Sequence, residues 1–171
     1  MKFAIFLLCF FSGPQLFSQS AEENLSKSGL KLQVLKPPVA NYVHAVRSGN
    51  MIYLSGKGPQ QENGEYLKGK LGKEVSIEQG YQAARLTGLI QLSVLKQELG
   101  DLNKVKRIVK VNGYVNSDAG FYDQPKVMNG YSDLMVEIFG DKGKHARTAL
   151  GVNALPFNML VEAEMIVEVY E

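Results

Sequence analysis

Two spacings of apolar residues alternate along this chain. Apolar side chains three or four positions apart predict helices over 76–99 and 122–139, and a glycine follows each of them. Ser76 and Gln79 match the capping box that begins many helices. Apolar residues at every second position instead predict strands. These strands are expected at 42–47, 51–55, 105–116, 147–154 and 159–169.

The resulting order of elements is β-β-α-β-α-β-β. It predicts an α+β fold in which both helices cover one face of a single sheet. Ser48-Gly49-Asn50, between the first two strands, is a hairpin turn signal. The last two strands flank Pro156-Phe157-Asn158, and we expect them to form a second hairpin. The glycine-rich range 58–72 has no apolar period, which indicates a solvated loop.

The expected second hairpin would have one polar side, shared by Arg147, Asn153, Glu162 and Glu164. Asn153 would then lie beside Glu162, while Arg147 would lie about 20 Å away, at roughly 3.3 Å per residue. We therefore hypothesise that Arg147 and Glu162 of one chain do not share a pocket. A neighbouring subunit would have to supply one of them to any site that uses both.

The polar side also contains apolar and aromatic residues. They are Tyr114, Gly151, Leu160, Ile166 and Tyr170. Such a face is either solvated or buried between subunits. The mixture of polar and apolar groups favours an oligomer, for which a closed ring is one common arrangement.

The start of the chain differs from the rest. A lysine precedes a short apolar run, and small serine residues follow it, as in a cleavable export signal. The run is too short to span a membrane. We expect a signal peptide at 1–20, a polar lead-in at 21–36 and one domain at 37–171. The mature protein would be exported, to the periplasm or outside the cell.

Charge and residue usage limit the chemistry. The 19 basic and 17 acidic residues give a net charge of +2, which argues against nucleic acid as the main ligand. Cys9 is the single cysteine and would leave with the signal peptide. His44 and His145 cannot form a three-histidine metal site, so we expect no metal. Arg147 could bind a small carboxylate, and a glutamate nearby could activate water.

Several short motifs occur in order along the chain. They are Asn41-Tyr42-Val43, Leu54-Ser55-Gly56, Val127-Met128-Asn129-Gly130, Ala146-Arg147, Leu155-Pro156 and Val161-Glu162-Ala163-Glu164. With these motifs the chain, from about Asn41 to Glu171, resembles the RidA/YjgF family of reactive-intermediate deaminases, also labelled endoribonuclease L-PSP. The resemblance is strongest to a branch with the pattern VMNGxSDL…FGxKGxHAR, here at 127–147.

The resemblance implies a chorismate-mutase-like homotrimer with clefts between its subunits. It also implies hydrolysis of short-lived enamines and imines, such as 2-aminoacrylate, to 2-keto acids and ammonia, with no cofactor. By matching position, Arg147 would bind the substrate carboxylate, and Glu162 would orient or activate the attacking water. The cleft would be lined by Tyr42, the Gly56 backbone, Asn129 and Ala149.

Three positions depart from the family's usual pattern. Lys57 stands where many deaminases have glutamine, Ala149 replaces a cysteine or serine, and His145 replaces a proline. Two other functions therefore stay open. One is non-catalytic binding of small carboxylates in the same clefts, and the other, from the second family label, is RNA cleavage. We interpret His145 as a surface histidine rather than as a general base.

Overall fold

The structure is a computed structural model that describes residues 20–38 and 40–171. The expected signal peptide at 1–20 lies outside the described residues, apart from Ser20. The elements are α1 (Ala21–Ser28), β1 (Ala45–Ser48), β2 (Met51–Lys57), α2 (Ile77–Leu99), β3 (Val105–Asn116), α3 (Gln124–Phe139), β4 (Ala146–Val152) and β5 (Val161–Val169). Short 3-10 helices lie at Leu102–Lys104, Gly140–Gly143 and Pro156–Asn158.

Both predicted helices are confirmed. The Ser76 hydroxyl accepts a hydrogen bond from Gln79 N at 3.2 Å, and the Gln79 side chain accepts one from Ser76 N at 2.9 Å, so the capping box is complete. Gly100 ends α2 at a φ of +72°, a left-handed conformation that glycine adopts without strain. α3 begins two residues later than predicted, at Gln124 rather than Tyr122.

The segment predicted as a polar lead-in begins with a helix that the sequence pattern missed. Ser20 caps α1 and pairs with Glu23 in a second capping box. Glu22 fixes α1 to the domain, because its carboxylate accepts hydrogen bonds from Lys96 Nζ at 2.8 Å and Leu102 N at 2.7 Å. A helix of 8 residues is marginal by itself, so these tertiary contacts stabilise it.

The five strands form one sheet in the order β1-β2-β5-β3-β4. β1 and β2 form the predicted hairpin. The second predicted hairpin is wrong: β5 pairs with β2 and β3, whereas β4 lies at the sheet edge, parallel to β3. The reason is that α3 carries the chain back across the helix layer, and a strand that follows such a crossover runs parallel to the strand before it.

The hydrophobic core lies between the sheet and the two long helices, as predicted. Val111, Val115 and Met165 point from the sheet toward α2 and α3 and are at most 1% exposed. The two helices also touch each other closely. A β-carbon at Gly130 would overlap the backbone carbonyl of Tyr81, so this crossing requires glycine.

The side chains of β4 face the opposite way from the prediction. Val111 pairs with Arg147 in the β3–β4 ladder, so Arg147 shares the helix-covered face of the sheet. Ala149 packs against the core on that same face, while Leu150 on the other face is 53% exposed. Arg147 therefore does not share the open face with Glu162. The pattern in this edge strand was ambiguous because small and polar residues occupy both of its faces.

Two further expectations are also corrected. The range 58–72 is not a solvated loop, because Leu71 is fully buried and Lys68 pairs with Met159 in a β-bridge. Leu160, expected on the polar side, is only 4% exposed.

In 20–38 and 40–171, no helix combines the length and the hydropathy that crossing a bilayer requires.

Candidate functional site

Arg147 lies at the start of β4, against the N-terminal half of α3. Its Nη1 donates to Asn129 Oδ1 at 3.0 Å and to Ser132 Oγ at 2.9 Å. Its Nη2 donates to the Pro125 carbonyl at 3.4 Å. Asn129 and Ser132 are three residues apart, so they occupy the same side of the helix. We refer to Arg147, Asn129, Ser132 and His145 as the arginine cluster.

The guanidinium of Arg147 has unused N–H donors and a positive charge that could bind a ligand. A guanidinium has five N–H donors, and three are used by the acceptors of α3, which leaves 5 − 3 = 2. Among the described residues, no carboxylate forms an ion pair with it. Burial lowers its pKa and the charge of nearby Asp133 opposes this, but an arginine stays cationic at neutral pH. Two free donors on a half-buried cation suit an incoming carboxylate.

His145 belongs to this cluster and is not the surface histidine that the sequence suggested. Its ring is half-buried, edge-on to the Tyr131 ring at 6.4 Å between centroids. Its Nε2 lies 3.1 Å from Ser132 Oγ, and its Nδ1 lies 2.7 Å from the Gly143 carbonyl. Burial, and to a smaller extent the charge of Arg147, lower the pKa of His145, while the bond to Gly143 raises it.

Glu162 lies on the open face of β5, next to a bulge in β2. The register between β2 and β5 shifts between Leu54 and Lys57, and Gln91 of α2 donates to the backbone carbonyls of Ser55 and Ala163 at this point. The bulge brings Gly56 against the carboxylate of Glu162, where any β-carbon would overlap it. A larger residue at position 56 would therefore displace the end of the Glu162 side chain.

Aromatic side chains border the same carboxylate. Burial raises the pKa of Tyr66, and the nearby Tyr42 hydroxyl and Glu162 carboxylate raise it further. Tyr66 stacks on Phe157 with 5.4 Å between ring centroids. We refer to Tyr42, Gly56, Lys57, Tyr66 and Glu162 as the glutamate cluster.

The Leu155-Pro156 motif positions Phe157 for this stack. Phe157 and Asn158 both have positive φ, 56° and 57°, which is uncommon for residues other than glycine. The buried Asn116 donates to Asn158 Oδ1 at 3.0 Å and holds the turn. Backbone strain of this kind is stored where the surrounding structure over-determines it, as it often is beside binding sites.

The charge of Glu162 is weakly compensated. Among the described residues, no group donates a hydrogen bond to its carboxylate. Burial raises its pKa above the usual 4.5, Glu164 raises it further, and Lys57 lowers it. A carboxylate with a raised pKa binds a proton from water more readily, which is the property of a general base.

Lys57 is part of a hydrogen-bonded chain beside Glu162. His44 Nε2 lies 2.8 Å from the Lys36 carbonyl, so Nε2 carries the proton and Nδ1 accepts from Lys57 Nζ at 2.7 Å. Burial lowers the pKa of Lys57, and Glu162 raises it. The departure from glutamine at this position thus introduces a half-buried cation whose charge lowers the pKa of Glu162.

The two clusters do not meet within one protomer. Arg147 pairs with Val111 and Glu162 pairs with Tyr114, so they are 114 − 111 = 3 ladder positions apart along β3. They are also two strand spacings apart across the sheet. Each of these two perpendicular displacements is roughly 10 Å, so the backbones of the two residues are roughly 14 Å apart. Their side chains point to opposite faces of the sheet. The prediction that Arg147 and Glu162 of one chain do not share a pocket therefore holds, although the hairpin and the separation of about 20 Å from which it was argued do not.

A cleft of about 440 Å³ opens at the ends of β3 and β4, with Ser117, Gln124 and Asn153 in its lining, and it does not join the two clusters. Neither Arg147 nor Glu162 lines it, and Asn153 lies there rather than beside Glu162. Within 20–38 and 40–171, no three His, Cys, Asp or Glu side chains are grouped to hold a metal ion.

The sequence did not predict the contact of Ser132 with Arg147 or that of Lys57 with His44. Ser132 was inside the quoted branch pattern, and its three-residue spacing from Asn129 on a predicted helix could have indicated a shared side. The pairing of Lys57 with His44 had no local signal, because the two are joined only by the folding of β1 against β2.

Comparisons with known proteins decide the family. A family model for YjgF/chorismate-mutase-like proteins, described as candidate endoribonucleases, matches residues 22–169. The chain belongs to the YjgF/chorismate-mutase-like family. The predicted RidA/YjgF resemblance is therefore confirmed, and the match covers both clusters.

Named members of the YjgF family show a range of labels. Protein TCP17 of Trypanosoma cruzi is 42% identical over 146 residues, covering 85% of this chain and 91% of TCP17. A 2-iminobutanoate/2-iminopropanoate deaminase of Dermatophagoides farinae is 30% identical over 131 residues, covering 76% and 87% of the two chains. A candidate endoribonuclease of Shewanella oneidensis has a solved structure that superposes with a TM-score of 0.83 at 31% identity, covering 88% and 100%. The fold is thus the α+β chorismate-mutase-like fold of YjgF proteins.

Proposed function

We propose that this protein hydrolyses 2-imino acids, and the enamines that tautomerise to them, to 2-keto acids and ammonia. The observation that supports this most directly is Arg147, whose cation has two free donors and no carboxylate partner among the described residues. A substrate carboxylate next to the reacting carbon would occupy that position. The relative named as an imine deaminase supports the same reaction.

The site would form between two subunits of a closed homotrimer. One subunit would provide Arg147, Asn129 and Ala149, and its neighbour would provide Tyr42, Gly56 and Glu162. The open face of the sheet supports this arrangement, because it exposes Tyr53 and Leu150 at 47% and 53% beside its polar groups. Packing this face against the β4 edge of the next subunit would remove that apolar surface from water and bring the neighbour's Arg147 opposite Glu162.

In the proposed reaction, Glu162 acts as a general base. It takes a proton from a water molecule as the water oxygen attacks the imine carbon and returns that proton to the nitrogen, so the resulting carbinolamine has both OH and NH₂ on that carbon. Transfer of the hydroxyl proton to the nitrogen through Glu162 then lets ammonia leave and forms the keto C=O. The balance is imino acid plus water to keto acid plus ammonia. Arg147 holds the carboxylate throughout, which fixes the carbon against the water.

The test is ammonia and keto acid release from 2-iminopropanoate generated in situ by an amino-acid oxidase. Arg147→Ala should lower kcat/KM by about 10²-fold, because two charge-assisted hydrogen bonds are worth at least about 3 kcal/mol together. Arg107→Ala is the matched control, since Arg107 is a surface arginine paired with Glu168 at 3.4 Å. Equal loss in both variants, or no rate above buffer with wild type, would refute the proposal.

The same experiment separates the alternatives. Pyruvate binding that depends on Arg147 without any ammonia release would identify a carboxylate-binding protein instead. RNA cleavage lost in Arg147→Ala and kept in Arg107→Ala would favour the endoribonuclease label. We also propose that the protein acts outside the cytoplasm, on the basis of residues 1–20. An unprocessed N-terminus on the protein recovered from its native cells would contradict this.

A further inference from the structure

The hydrogen bonds around Arg147 form a chain whose direction is fixed at its far end. The Gly143 carbonyl can only accept, so His145 Nδ1, at 2.7 Å, carries a proton and donates it. In the neutral ring, Nε2 is then an acceptor, and the Ser132 hydroxyl, at 3.1 Å, donates to it. Ser132 Oγ in turn accepts from Arg147 Nη1 at 2.9 Å.

This chain needs a neutral His145. If Nε2 gained a proton, it would have to donate to Ser132 Oγ, which already accepts from Arg147. The serine O–H would lose its acceptor, and two cations would compete for one oxygen. The surroundings disfavour that state, because the ring is half-buried among Tyr131 of α3 and Arg147 of β4.

Other charged groups near His145 do not offset this. Asp133 of α3 lies close enough to affect Arg147, and Lys144, the neighbour of His145, is exposed and paired with Asp141 at 2.7 Å. Tyr131 is buried, and burial raises the pKa of its hydroxyl, so it stays neutral. Among these neighbours, no charged group therefore stabilises the protonated form of His145.

We propose that Ser132 and His145 are positioning residues, which hold the Arg147 guanidinium ready for an anionic substrate only while His145 is neutral. This inference rests on the proposed function, in which Arg147 binds the substrate carboxylate. Ser132 fixes the Nη1 side of the guanidinium and leaves the two remaining donors for the ligand. Protonation of His145 releases Ser132 and lets the guanidinium rotate away from the binding position.

The first measurement is the tautomer of His145 by ¹⁵N NMR of the imidazoles. The structure places the proton of His145 on Nδ1 and that of His44 on Nε2, so the two histidines of the chain should give opposite patterns. His145→Gln identifies which signal is which. A charged ring or an Nε2–H tautomer for His145 at pH 7 would overturn the proposal, whatever the enzyme's activity.

The second measurement is pyruvate affinity by calorimetry from pH 5 to 8. Wild type should bind progressively more weakly as the pH falls below 6.5, the usual pKa of histidine, whereas His145→Gln should lose this dependence because glutamine keeps an acceptor without titrating. Ser132→Ala should weaken binding by about tenfold across the range, since it removes one charge-assisted hydrogen bond. In turnover at neutral pH, Ser132→Ala should raise KM and leave kcat nearly unchanged.

The outcomes separate this inference from the proposed function. If Arg147→Ala abolishes pyruvate binding but His145→Gln retains the wild-type pH dependence, the positioning role is wrong and the carboxylate site stands. If Arg147→Ala binds pyruvate like wild type, both are wrong. Ser132→Thr keeps the hydroxyl and should restore most of the affinity that Ser132→Ala loses, which a role in packing alone would not produce.

Discussion

A subunit-mixing experiment tests the shared site most sharply. Arg147→Ala and Glu162→Gln should each be inactive as pure proteins. When the two are mixed one to one and allowed to exchange subunits, some clefts will pair an intact Arg147 from one subunit with an intact Glu162 from its neighbour. Activity should therefore reappear in a mixture of two inactive proteins.

The expected recovery of activity follows from the separation of the two clusters within one protomer. Their backbones lie roughly 14 Å apart on opposite sheet faces, while an imino acid with a hydrogen bond of about 3 Å at each end is far shorter. One protomer thus cannot serve both ends of the substrate. In a closed ring, each cleft receives an intact arginine with a chance of one half and an intact glutamate with a chance of one half. About one quarter of clefts should be active.

The assay is ammonia release after joint refolding or co-expression of the two variants. Mixing Arg147→Ala with the double variant provides the control, because no cleft can then contain both groups. Recovery near one quarter of the wild-type kcat supports the shared site. A mixture as inactive as its components, with subunit exchange verified by mass spectrometry, would refute the reasoning and place both residues in separate roles.

Two further predictions concern charge and packing. Lys57→Met removes the cation that lowers the pKa of Glu162, so that pKa should rise and the acid limb of the kcat/KM profile should move to higher pH; a limb that stays in place or moves down would contradict the assigned role of Lys57. Gly130→Ala should lower the free energy of unfolding by about 1–3 kcal/mol or more, because the new β-carbon would overlap the Tyr81 carbonyl. Gly120→Ala, where the space is open, is its control in thermal melts, and equal shifts in Tm would be evidence against the close crossing.

The elements of this protein could be predicted because their signals are local. The capping box of Ser76 and Gln79 and the three- and four-residue apolar spacing place α2 within one residue of its observed start. Alternation alone sets the bounds of β3 and predicts the burial of Val111, Gly113 and Val115, but it fails at Ile108, which is buried beside a register shift between Ile108 and Lys110. These patterns depend on the helix and strand periods, which are properties of the backbone.

The pairing of strands could not be predicted in the same way. Alternation indicates that β4 and β5 are strands, but it does not tell which strand lies beside which. β4 joined β3 rather than β5 because the α3 crossover requires it, and that choice also turned Arg147 to the helix-covered face. A strand at the sheet edge with Gly151 and Ala149 on one face and Thr148 on the other has no strong preference of its own.

The candidate site shows the same division. The sequence by itself determined the residue types, since motif positions identified Arg147 and Glu162, and Gly56 with them. Only the tertiary structure determined which groups act on them. Ser132 and His145 form the hydrogen-bonded chain that reaches Arg147, and Lys57 lowers the pKa of Glu162. The physical reason is that hydrogen bonds and pKa shifts depend on groups far apart in the chain, which meet only when the helices and strands pack.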